Sequence, residues 1–127
     1  MPDKWTLDSS RLDANRLKRY AKRHPRETAS CFNNLDLVLR ALNQGTPFVQ
    51  LSFGFFRPEG ENLWRIGQTK VPHAKETRLY VYVRIVETTI STLLIGDKDE
   101  QPDDIRICKE IIRNWVPPPA APEGERK

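Results

Sequence analysis

With 127 residues, 38% of them hydrophobic and 30% charged, the chain has room for one domain with its own core and needs no staple to hold it. No apolar run approaches the roughly 20 residues of a membrane-spanning helix, and the opening "MPDKWTLDSS" lacks the apolar core of a signal peptide, so a cytoplasmic protein without membrane contact is expected. The net charge of +4 and a pI near 9.3 favour a polyanionic partner.

"DSSRLDANRLKRYAKRH" reads as a first helix: Ser9 or Ser10 can cap it, Asp13 lies in its first turn, and Leu12, Leu17, Tyr20 and Ala21 recur near helical spacing. Pro25 is expected to end it. A second helix follows over 26–43, with an apolar stripe of Ala29, Phe32, Leu35, Val38, Leu39 and Leu42 and the stop "NQG". So short a break between helices predicts an antiparallel hairpin.

From Pro47 the period changes to 2. A strand or strand-like arm is expected at 48–56 and strands at 62–69, 77–86 and 89–97, with the loop "KVPHAKE" (70–76) before the strand at 77–86 and a hairpin through "ETT" after it. "SFGFFRPEG" (52–60) holds more phenylalanine than an exposed arm requires, which suggests packing in the core or against a partner. A last helix starts near Pro102, with Asp103 and Asp104 placed against its dipole and Ile105, Cys108, Ile111, Ile112 and Trp115 as its apolar set. Residues 1–115 then form a single domain, and the Pro-rich residues 116–127 read as a flexible tail. Helices, then strands, then a helix predict an α+β fold: an N-terminal helical hairpin on a small antiparallel sheet, followed by a C-terminal helix.

The third strand, "TRLYVYVRIV", carries the functional signal. Leu79, Val81, Val83 and Ile85 share one parity and suit the face under the hairpin. Arg78, Tyr80, Tyr82 and Arg84 share the other, facing solvent or the last helix. Arginine forks grip phosphate oxygens and phenol rings offer bases a stacking surface, a combination suited to single-stranded RNA. High β propensity accounts for the tyrosines equally well. Arg65 on the preceding strand and Lys70, His73 and Lys75 in the loop add cations nearby in sequence, and His73 is a candidate general base. Cys31 and Cys108, without CxxC spacing, read as buried hydrophobes. The acids at 97–104 do not match an EF-hand, no Walker, GxSxG, HExxH or GxGxxG motif occurs, and neither a metal nor a cofactor is expected.

"LLIGDKDEQPDDI" (93–105) resembles the RelE/ParE superfamily of bacterial toxins, and more closely its HigB-type, phage-derived branch. In that branch a final strand runs into a GDK turn, here Gly96, Asp97 and Lys98, followed by a glutamine (Gln101) and an Asp-Ile pair (Asp104, Ile105) opening the last helix. "LWRIG" (63–67) and "TRLYVYV" (77–83) are similar to the family's strand and its next strand opening with arginine. The resemblance spans about residues 10–115. It implies the RelE-like fold, a cognate antitoxin as partner, and metal-independent cleavage of messenger RNA on the ribosome. There the ribose 2′-hydroxyl attacks the adjacent phosphate while cations stabilise the added charge. By the same resemblance Arg65 binds phosphate and Arg78 and Lys98 stabilise the transition state. Two positions depart from the pattern: Gly67 stands where a second basic residue is usual, and the last helix has no tyrosine for the target base, leaving His73, Tyr80 or Tyr82 as substitutes. The alternatives are a non-enzymatic gyrase inhibitor of the ParE branch and a non-toxic nucleic-acid-binding module.

Overall fold

Thr6–Asp8 (β1) lies parallel to Thr89–Asp97 (β5), and from there the sheet continues antiparallel through Thr77–Arg84 (β4) and Leu63–Gly67 (β3) to Phe56–Gly60 (β2). The computed structural model describes residues 4–115; the expected tail at 116–127 lies outside them. The class is α+β, but the sheet is mixed and five-stranded, not antiparallel. Three residues are too few for a period of 2 to register, and β1 therefore leaves no pattern in the sequence.

Among the described residues three α-helices complete the fold: α1 (Ala14–Arg23), α2 (Pro25–Asn43) and α3 (Gln101–Trp115). α1 starts later than Ser9 or Ser10 would set it, because the Asp13 carboxylate caps it by accepting the Arg16 backbone N–H at 3.0 Å. Pro25 opens α2, at the helical position where a missing N–H costs nothing. His24 joins the two, donating its backbone N–H to the Tyr20 carbonyl at 2.8 Å and accepting from the Thr28 N–H and hydroxyl.

Each sheet face is covered. Cys31, Leu35, Val38 and Leu42 of α2 pack on Ile66, Leu79, Val81, Val83, Ile90 and Ile95, with Trp5 and Phe56 in the same cluster. On the other face Cys108 and Ile112 of α3 pack on Leu63, Tyr80, Tyr82, Leu93 and Leu94. Leu93 and Leu94 share that face because the β4–β5 register shifts opposite Tyr80 and Val81, an irregularity of the β-bulge kind. Fully burying one such aliphatic side chain is worth about 1.5–3 kcal/mol, and both faces of the sheet contribute.

Two expectations about strands fail. Phe48–Gln50 is a 3₁₀ turn and the extended strand begins at Phe56, because the phenylalanines turn inward instead of alternating. Phe48 packs edge-on to Phe56 and to Trp64, whose ring stacks on Phe56 at 4.5 Å. That cluster gives "SFGFFRPEG" its reason: it closes the core at the β2 edge. Ile85 does not continue the buried row, since β4 ends at Arg84 and Ile85 is exposed in the following turn.

Candidate nucleic-acid interface

Of the four residues on the second face of β4, the middle two are not available to RNA. Tyr80 is fully buried and Tyr82 nearly so, both beneath α3. Burial pushes the Tyr80 phenol well above its ordinary pKa, and its hydroxyl has no hydrogen-bond partner among the described residues. The apolar face of α3 needs an apolar floor, and the rings supply it. The assignment of Tyr80 and Tyr82 to base stacking is therefore corrected: they are core.

The two arginines are left at opposite ends of the strand, six residues and about 20 Å apart at strand rise. Arg84 lies over the Trp115 ring at 4.9 Å, with Arg11 at 4.6 Å from the same ring. It packs against the end of α3 by cation–π attraction, and it does not join the cluster around Arg78.

Around Arg78 the strands do bring cations together. Register places Arg65 opposite Tyr80 and Gly67 opposite Arg78, so Arg65 and Arg78 lie on one face at the same end of the sheet. Arg65 Nη1 donates to Glu59 Oε2 at 3.0 Å, and Gln101 Nε2 donates to the same oxygen at 3.4 Å. Gln101 Oε1 in turn accepts from Arg78 Nε at 3.2 Å. Glu76 Oε2 is shared between Arg78 Nη2 at 3.3 Å and Lys98 Nζ at 3.7 Å. Arg65, Glu59, Gln101, Arg78, Glu76 and Lys98 thus form one chain of contacts from β2 to the turn after β5. Gly67 stands where the resemblance has a second basic residue, and a Cβ there would meet Arg78 Nη1 at 3.6 Å, an ordinary van der Waals contact that does not require glycine.

Lys75 is drawn to the same end by Asp99 at 2.9 Å and Asp97 at 3.9 Å. The hydrogen bond to Asp99 raises the Lys75 pKa and lowers that of Asp99. Behind it, α2 holds the 68–76 loop by three polar residues spaced 27, 30 and 34 along one helix face. Glu27 accepts the Lys75 backbone N–H at 3.0 Å, Ser30 both donates to the Thr69 carbonyl and accepts the Thr69 N–H, and Asn34 donates to the Gly67 carbonyl at 2.8 Å. Lys70 and His73 project from this loop in left-handed backbone conformations, φ 58° and 54°, uncommon for residues with a Cβ. Both are exposed. Among the described residues no hydrogen bond or ion pair joins His73 to Arg78, Lys98 or Arg65.

The structure accordingly gathers Arg65, Arg78, Lys98 and Lys75, leaves Lys70 and His73 on the adjoining loop, sets Arg84 apart at the far end of β4, and buries Tyr80 and Tyr82. Sequence reasoning missed Glu59, Glu76 and Gln101 as members of the site. Guanidinium groups preset by carboxylates and an amide offer fixed donors to phosphate oxygens. An incoming phosphate competes with Glu59 and Glu76 for them. Compared with known proteins, the chain matches no family model, no curated protein and no solved structure.

Proposed function

We propose that this protein is the toxin of a toxin-antitoxin pair with a RelE-like fold, acting in the cytoplasm as a metal-independent, ribosome-dependent endoribonuclease on messenger RNA. The observation that carries the reading is the convergence of Arg78 and Lys98 on Glu76, with Arg65 linked to Arg78 through Glu59 and Gln101. In-line attack by a ribose hydroxyl needs cations held where charge develops, and such an array needs little reorganisation at that moment. The order of parts supports the resemblance to the RelE/ParE superfamily: Arg78 near the start of β4, Gly96 to Lys98 at the end of β5, Gln101, Asp104 and Ile105 in the opening turns of α3. Arg78 and Lys98 stabilise the transition state, Arg65 and Lys75 bind phosphate, and His73 on its loop is the candidate base. A cognate antitoxin covers this cluster or blocks access to the ribosome.

A second reading, a binding module or ParE-like inhibitor without cleavage, is favoured by two observations: His73 has no partner in the cluster among the described residues, and each gathered cation already holds a carboxylate. Induced expression of wild type and Arg78→Ala in a bacterial host, with mapping of messenger RNA 5′ ends, separates the two. Growth arrest with ribosome-phased ends that vanish in Arg78→Ala supports the nuclease. Arrest without new ends overturns it in favour of a bound target such as gyrase, and no arrest overturns both toxin readings.

A further inference from the structure

The most cationic element of the chain takes no part in the cluster just described. Six of the thirteen residues 14–26 are Lys or Arg, and none is acidic. Leu17 and Tyr20 turn toward the core, which leaves the outer surface of α1 to cations. Arg16, Arg19 and Arg23 recur at i, i+3 and i+7 and fall on one helix face, spread over about 10 Å of axis. With Tyr20 and Glu100 they line a cleft of ≈ 240 Å³.

Within that cleft the arginines divide by role. Arg16 is fixed, donating to Asp104 at 2.9 Å and to the Ile95 carbonyl at 3.4 Å. Arg19 and Arg23 are exposed and form no ion pair among the described residues, nor do Lys18, Lys22 and Arg26. Like charges at i,i+4, as in Lys18 with Lys22 and Arg19 with Arg23, each cost a few tenths of a kcal/mol. A merely solvated face relieves this by mixing signs, as α2 and α3 do with Arg40–Asp36 and Arg106–Glu110; α1 does not.

The cleft also adjoins the sheet-end cluster. Tyr20 Oη shares a 2.7 Å hydrogen bond with Thr77 Oγ1, next to Arg78, and Glu100 closes the turn that begins at Lys98. A strand leaving Lys98 therefore meets Arg16, Arg19 and Arg23 on the other side of one short turn.

We propose that α1 is a docking surface for the backbone of single-stranded RNA, with Arg19 and Arg23 as phosphate contacts and Arg16 and Tyr20 as the floor. It deepens the nuclease reading and rests on it only for the choice of RNA. A membrane surface does not fit, because α1 turns its apolar residues to the core and has none left to insert.

The test is fluorescence anisotropy of the full chain with a labelled single-stranded oligoribonucleotide, between about 50 and 200 mM salt. The double variant Arg19→Ala/Arg23→Ala, confirmed by an unchanged melting temperature, is expected to bind at least tenfold more weakly. Its slope of log affinity against log salt falls by about 1.4, or 0.7 for each lost phosphate contact. Unchanged affinity and slope overturn the proposal while leaving the Arg78→Ala cleavage test to decide the nuclease reading. Poly-glutamate bound by wild type as tightly as the RNA, at equal salt, also overturns it and assigns the surface to an acidic protein.

Discussion

Arg16 of α1 and Asp104 of α3 meet around the edge of the sheet, Nη1 2.9 Å from Oδ1, and so tie together helices that pack on opposite faces. The Asp104 carboxylate is buried, and it lies where a Cβ on Gly96 would stand. Only glycine at 96 admits it.

Replacing Arg16 with Met leaves Asp104 buried without its cation, and a loss of about 3 kcal/mol of stability is expected by chemical denaturation. Burial already raises the Asp104 pKa above 3.8, with Arg16 opposing the rise. A carboxyl raised in the folded state binds its proton more tightly there than in the unfolded chain, so its stabilising effect is present below 3.8 and lost as pH climbs through the folded value. The deficit of Arg16→Met relative to wild type is therefore expected to shrink on acidification.

Glu27 has the opposite sign. Burial pushes its carboxyl up, but hydrogen bonds from the Lys75 backbone and its own backbone N–H outweigh this and hold the pKa below 4.5. Its stabilisation is present above 4.5 and lost as pH falls through the lowered value. Glu27→Ala strands the Lys75 N–H, at about 1–3 kcal/mol. Faster hydrogen exchange at Lys75 is expected, and exchange unchanged from wild type would show that the loop is held by Ser30 and Asn34 alone.

Tyr80→Phe removes a buried hydroxyl that has no partner among the described residues. Thermal unfolding is expected to show equal or greater stability, by up to about 1 kcal/mol, and RNA affinity is expected to stay at the wild-type value. A loss of affinity would return Tyr80 to the binding surface.

Glu76→Gln keeps the shape of the node between Arg78 and Lys98 and removes the charge that competes with phosphate. Because Glu76 is half exposed, the pair it forms is worth at most about 1 kcal/mol, and RNA affinity is expected to rise about two- to fivefold. Weaker binding would mean that Glu76 orients the cations more than it screens them.

Most of the secondary structure was legible because periodicity reports it directly: α2 and β3 to β5 lie close to where the apolar spacing puts them. Burial was legible for one face only. Alternation in "TRLYVYVRIV" separates two faces without saying which is covered, and the sign that both were covered lay elsewhere, in the apolar residues of α3 that needed a floor. The cations of the site were visible as a local excess, whereas Glu59 was not, since a partner drawn from another strand leaves no spacing to read; Glu76 lies two residues before Arg78, where attention to cations alone passed over it. The loop clamp did leave one: Glu27, Ser30 and Asn34 repeat at helical intervals on a face otherwise expected to be indifferent.

The pairing of β1 with β5 sets an order of assembly. Thr6 and Thr89 lie 83 residues apart, while the two-helix hairpin and the β3–β4–β5 meander close over short distances and so at low entropic cost. Until β1 docks, Thr89, Ile90 and Ser91 of β5 have no neighbour on that side, an unpaired edge of the kind that recruits foreign strands. Trp5 also has no pocket until the Asn43 side chain, which accepts its backbone N–H at 2.7 Å, stands beside a finished sheet. Trimming a few residues from the start of the chain would therefore leave the cations of the site in place and give the sheet an adhesive margin.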